Sequence, residues 1–145
     1  MATVYLGLGT NLGNKEENLN TAVEKIKEKI GEVTSLSSFL ETAPWGFESE
    51  NGFLNAALCV ETQLNPHQVL SILKEIELEM GRTSKSVNRV YSDRIIDIDI
   101  LLYDDLILNT EDLVIPHPLM TERDFVMIPL LEIAGEVIHP QINKN

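Results

Sequence analysis

Cysteine is all but missing from this sequence, with Cys59 alone among 145 residues. No intramolecular disulfide can form, and the chain suits a reducing compartment. Basic residues are scarce as well: 11 Lys and Arg stand against 23 Asp and Glu, a formal charge of −12. That balance excludes a broad basic surface for nucleic acid, so a phosphate-bearing ligand needs a local arginine cluster or a bound metal. Long apolar runs are absent too. None approaches the ~20 residues of a membrane span, and Met1 to Thr10 carries no basic leader segment. A soluble, cytoplasmic protein is expected. No Walker-type G-K-[ST] sequence occurs, and GLGTNLG has G-x-G-x-x-x-G spacing where a dinucleotide fingerprint needs G-x-G-x-x-G. A Rossmann fold is rejected on that ground.

What is present reads as one globular domain over residues 1–145, with 43% hydrophobic residues available for a core. Val4, Leu6 and Leu8 alternate with Tyr5, Gly7 and Gly9 as a first strand. Asn14 caps a helix, with Glu17 completing a capping box. Leu19, Ala22, Val23, Ile26 and Ile30 follow at helical spacing until Gly31. Val33 to Glu41 reads as a second strand, and Thr42 to Gly52 as a loop. Phe53 to Gln63 is a third strand with Leu54, Ala56, Leu58 and Val60 on one face. Asn65, Pro66 and Gly81 bracket a second helix, whose apolar stripe is Val69, Ile72, Leu73, Ile76 and Met80. A polar loop, TSKSVNRVYSD, leads into the strand of DRIIDIDILLY. A short strand Leu106 to Leu108, a helix within Thr121 to Ala134 and a Val137-Ile138 tail complete the chain.

The order strand, helix, strand, strand, helix, strand predicts an α+β sandwich of the ferredoxin-like kind, built on an antiparallel sheet. Ile96, Ile98, Ile100 and Leu102 form the apolar face of the fourth strand, matching those of the first and third. Both helices belong on that side. The opposite faces are mixed, with Tyr5, Gly7 and Gly9, then Phe53, Asn55 and Ala57, then Asp97, Asp99 and Leu101, and that side is expected to be a polar cleft.

Asp97 and Asp99 are the pair that demands chemistry. Residues i and i+2 of a strand project to one side with Cα atoms ~6.5–7 Å apart. Two carboxylates so placed repel unless a cation sits between them. Oxygen donors without His or Cys favour Mg²⁺, which binds one or two carboxylates plus phosphate oxygens, and the spacing suits a two-metal clamp. A D-x-D alone fits an edge strand with ordinary surface acids equally well. The apolar flanks and Arg94, three residues upstream, favour a binding site. Arg82, Arg94 and Arg123 stand where they can converge on phosphates in a fork geometry. Arg89 reads as a surface charge. His117, between Pro116 and Pro118, can hydrogen-bond a ligand, whereas His67, His139 and Cys59 read as structural. Phe53, Trp45, Tyr91 and Phe125 suit either a planar ligand or the core.

Five blocks in this order, GLGTNLG, SSFLETAPWG with GFLNAA, IELEMGR, DRIIDIDILLY and VIPHPLMTERDFVMIPLLEIA, resemble the 6-hydroxymethyl-7,8-dihydropterin pyrophosphokinase family of folate biosynthesis. The resemblance implies Mg²⁺-dependent transfer of diphosphate from ATP to the reduced pterin, releasing AMP. It implies two Mg²⁺ ions at Asp97 and Asp99, with Arg82 and Arg94 beside them in the catalytic set. It also implies nucleotide contacts from Arg82, Arg94, Ile100, His117 and Arg123. The pterin pocket would be Thr42, Ala43, Trp45, Phe53, Asn55 and Phe125, with Asn55 on the pterin edge and the two phenylalanines sandwiching the ring. Family members usually act as monomers on these small molecules. The sequence departs from the family at Ser92-Asp93, where Gly-Pro is usual, and at Tyr91, where Trp is common. Two rivals also fit a D-x-D: another metal-dependent nucleotidyl- or glycosyltransferase, and a non-catalytic ferredoxin-like sensor.

Overall fold

The computed structural model describes residues 1–42, 52–81, 95–118 and 120–134, at Thr42 by its backbone only. The chain runs through β1 (Ala2–Thr10), α1 (Lys15–Lys29), β2 (Glu32–Leu36), β3 (Leu40–Thr42), β4 (Phe53–Thr62), α2 (Pro66–Glu79) and β5 (Asp97–Tyr103). A small hairpin follows, β6 (Leu108–Asn109) with β7 (Val114–Ile115), then a 3-10 turn at Met120–Glu122 and α3 (Asp124–Ala134). The main sheet has the order β2-β4-β1-β5, with β3 also paired to β4, and every pairing is antiparallel. This is the expected α+β topology, with α1 and α2 on one face.

The core follows from strand parity. Val4, Leu6 and Leu8 of β1 and Ala56, Leu58 and Val60 of β4 bury themselves in one cluster with Leu19, Ile26, Leu73 and Ile76 of the two helices. Each Val, Leu or Ile among them contributes about 1.5–3 kcal/mol on burial. The ion pairs Lys25–Glu79, Lys29–Glu75 and Lys29–Glu79 also join α1 to α2, but they are solvent-screened and secondary. Asn14 Oδ1 accepts from the Glu17 amide at 3.0 Å, as expected of the cap. The fully reciprocal box is at Asn65 and Gln68, with both bonds 2.9 Å. Gly31 is required by a close approach: a Cβ there would lie 1.9 Å from the Glu61 carbonyl oxygen.

Four expectations change. The single strand Val33 to Glu41 is two strands, because Ser37 takes over the pairing with its side chain: its N–H donates to the Ala57 carbonyl and its Oγ accepts from the Ala57 amide, both at 2.9 Å. The short strand expected at Leu106 to Leu108 lies at Leu108–Asn109 instead. Before it, Asp104 turns the chain at φ +50° and its Oδ1 accepts from the Thr3 amide at 2.8 Å. Leu102 does not share a face with Ile98 and Ile100. A β-bulge opposite Tyr5 and Leu6 places an extra residue, Leu101, in β5, and Leu102 then pairs with Tyr5. Finally, the second face is not wholly a cleft. The apolar α3 packs on β4, and Ala57, Leu101, Leu102, Met120 and Leu130 form a second cluster over the Tyr5 half of that face. Residues 43–51 of the expected Thr42 to Gly52 loop, the expected polar loop TSKSVNRVYSD and the Val137-Ile138 tail lie outside the described residues.

Candidate active site

The polar residues gather at the Gly9 half. In the register of the sheet, Gly9 stands between Asn55 of β4 and Asp97 of β5, and Gly7 stands between Ala57 and Asp99. A Cβ on Gly9 would come within 3.1 Å of Asn55 Oδ1 and 3.8 Å of Phe53 Cδ1, so the amide and the ring lean into space that glycine leaves open. Asn55 is buried, and its Nδ2 donates to the Leu40 carbonyl at 3.4 Å, which ties its orientation to β3.

Asp97 and Asp99 occupy the edge strand β5, on the face opposite the main core. Ile98 between them points into that core, and its N–H donates to Glu77 Oε2 at 2.8 Å. Glu77 is a buried carboxylate on α2, and the sequence reading passed over it. The signal was there: Glu77 follows Ile76 and lies four residues after Leu73, on the apolar side of the helix, where an acid needs a partner. Glu77→Ala should cost about 2 kcal/mol, the range for a hydrogen bond to a charged group. Urea unfolding of the variant measures it; an unchanged midpoint would show that Glu77 does not brace β5.

Ile100 is buried among the helix-side residues, so any ligand contact it makes runs through its backbone. By strand parity its amide points away from β1, as that of Ile98 does. His117 returns alongside β5, its amide donating to the Leu101 carbonyl at 3.1 Å and its Nε2 lying 4.0 Å from Asp99 Oδ2. Arg123 opens α3, its carbonyl accepting from the Val126 and Met127 amides, and its guanidinium sits 5.6 Å from the centre of the Phe125 ring.

Burial, and then the Arg123 charge, hold the His117 imidazole below its ordinary pKa, partly opposed by the Asp97 carboxylate. The folded protein therefore prefers neutral His117. As pH falls through the ordinary imidazole value of ~6.5, the unfolded chain takes up the proton first and stability is lost. Without ligands, wild type should lose more stability than His117→Asn between pH 7.5 and pH 5. Parallel losses in denaturant titrations would contradict this.

The described residues thus bring Asp97, Asp99 and His117 together beside Arg123, with Phe53 and Asn55 across Gly9 and Phe125 at the start of α3. Arg82, Arg94, Ala43, Trp45 and the Thr42 side chain lie outside them. Among the described residues no group of three or more His, Cys, Asp or Glu could hold a metal by itself. Two carboxylates facing glycines fit Mg²⁺, which completes its shell with water and phosphate oxygens.

The family model for 7,8-dihydro-6-hydroxymethylpterin-pyrophosphokinase matches residues 5–135. The 2-amino-4-hydroxy-6-hydroxymethyldihydropteridine pyrophosphokinase of Porphyromonas gingivalis is 46% identical over 142 residues, 97% of this chain and 96% of its own. The enzyme of that name from Aquifex aeolicus is 44% identical over 144 residues, covering 99% and 88%. Among solved structures, wild-type Plasmodium falciparum HPPK-DHPS matches 99% of this chain with a TM-score of 0.80 at 18% identity, a likeness of fold. This chain spans 43% of that protein's length. With a matching family model, two full-length relatives and the fold in agreement, the chain belongs to the 7,8-dihydro-6-hydroxymethylpterin-pyrophosphokinase family, enzymes of folate biosynthesis.

Proposed function

We propose that this chain, acting as one pyrophosphokinase domain over residues 1–145, transfers diphosphate from ATP to 6-hydroxymethyl-7,8-dihydropterin and releases AMP. The observation that carries this reading is the row Asn55, Gly9, Asp97 across three adjacent strands. It sets an amide suited to a heterocycle edge across β1 from the carboxylate of Asp97, with Asp99 on the same strand two residues on. Asn55 holds the pterin edge, and Phe53 and Phe125 sandwich the ring, with Thr42, Ala43 and Trp45 completing the pocket. The hydroxymethyl group then faces the carboxylate pair.

Asp97 and Asp99 would hold two Mg²⁺ ions, which would supply neutralisation of the phosphate charge. The hydroxymethyl oxygen bonds to the β-phosphorus in line as the bond from that phosphorus to the AMP oxygen breaks, and the hydroxyl proton passes to solvent. Arg82 and Arg94 stabilise the charge on the moving diphosphate. Arg123 and a neutral His117 hold the nucleotide, and Ile100 meets it through the backbone on the side of β5 away from β1. Phosphoryl chemistry of this kind depends on positioning and electrostatics, so the site needs no dedicated protein base. The enzyme works as a cytoplasmic monomer on small molecules. An omission assay tests the proposal: AMP should form only when ATP, Mg²⁺ and the reduced pterin are all present. AMP released without pterin would point to a different reaction.

A further inference from the structure

We propose that Glu132 is a positioning residue for the pterin site, an inference that rests on the pyrophosphokinase reading above. It sets the distance between the helix that carries Phe125 and the strands that carry Phe53 and Asn55. The link begins at the break in the edge strand. Once Ser37 has satisfied Ala57, Ser38 turns both of its donors on one atom: its N–H lies 2.9 Å and its Oγ 2.8 Å from Glu132 Oε2. Two residues later β3 begins, Leu40 pairs with Asn55, and the Leu40 carbonyl accepts the Asn55 amide. A shift of Ser38 therefore reaches the pterin-edge ligand through a very short stretch of backbone.

At the other end of the link, Phe125 and Glu132 are seven residues apart on α3. That spacing returns to the same helix face, ~10.5 Å along the axis. The face that Ser38 grips is the face that presents Phe125. Glu132 also stands near the C-terminus of α3, where the helix dipole disfavours an acid and where the last turn has no basic residue. Two donors from Ser38 hold it there against that gradient. Leu130 already anchors α3 in the second cluster with Ala57, Leu101, Leu102 and Met120. Attachment of the helix does not depend on Glu132; its exact seating does.

The test titrates the full chain with 6-hydroxymethyl-7,8-dihydropterin in the presence of saturating Mg²⁺ and a non-hydrolysable ATP analogue and, separately, with Mg²⁺ and that analogue alone. Wild type is compared with Glu132→Ala, Glu132→Gln, Ser38→Ala and the double Ala variant. Glu132→Ala should raise the pterin Kd about three- to tenfold and leave the Kd of the ATP analogue unchanged. Glu132→Gln, which keeps an acceptor oxygen, should recover most of the loss. The double variant should bind pterin no worse than Glu132→Ala alone. The inference fails if wild type binds pterin and Glu132→Ala binds it equally well. It also fails if both ligands weaken together with a fall in Tm, the mark of a structural staple. A wild type that binds no pterin refutes the pyrophosphokinase reading and takes this inference with it.

Discussion

Asp97→Ala is expected to lower kcat by about 10³-fold, or ~4 kcal/mol of transition-state stabilisation, without unfolding the protein. Asp97 lies on the outer face of an edge strand whose core anchors are Ile96, Ile98 and Ile100. Removing its side chain opens no cavity in the core. Asp97 belongs to neither apolar cluster, so Tm in the absence of Mg²⁺ should change little. Activity, in contrast, loses a ligand that the described site cannot replace, since no third acid, His or Cys completes a metal set there. Asp99→Ala should behave alike. Steady-state rates at saturating Mg²⁺, beside a thermal melt, separate the possibilities. A variant that turned over normally would mean that the pair consists of ordinary surface acids after all.

Asn55→Ala carries the second large effect, a rise of about 10²-fold in the Kd of the pterin, or ~3 kcal/mol, with nucleotide affinity little changed. The size follows from burial. A buried amide that bonds a heterocycle cannot be replaced by water without leaving polar atoms of both partners unpaired. In the free protein Asn55 is already buried and oriented by the Leu40 carbonyl, so little ordering is left for binding to supply. Gly9→Ala should give a smaller change in the same direction, because a Cβ 3.1 Å from Asn55 Oδ1 pushes the end of the amide and not the backbone. Fluorescence titration with pterin, set beside calorimetry with the ATP analogue, measures the split. Equal weakening of both ligands by Asn55→Ala would place the pterin elsewhere.

Much of this fold was legible in the residues, for identifiable reasons. Alternation in β1 and β4 marked the buried faces because a strand flanked on both sides in a sheet keeps strict parity. Asn14, Asn65 and Pro66 marked helix starts because the first amides of a helix need acceptors or must be absent. The places where the reading failed share a cause: a local event set by tertiary partners. The bulge that turns Leu102 toward Tyr5 depends on how β5 meets β1, and the break at Ser37 depends on a backbone amide twenty residues away. The cover provided by α3 was also out of reach, since an almost wholly apolar segment shows a helix but not which face it will take. At the site, alternation put the D-x-D pair and Asn55 on the cleft side, while the apolar flanks, Arg94 and the family resemblance pointed to their roles. Glu77 and Glu132 did not show, because their partners are a strand amide and Ser38, distant in sequence.

In the proposed reaction a diphosphate unit leaves ATP for the pterin in one step beside Asp97 and Asp99. Following a label in the γ-phosphate of ATP tests it most directly. All of the transferred label should appear in a pterin diphosphate, matched one to one by unlabelled AMP. Label in a pterin monophosphate with ADP as co-product, or in free pyrophosphate, would contradict it.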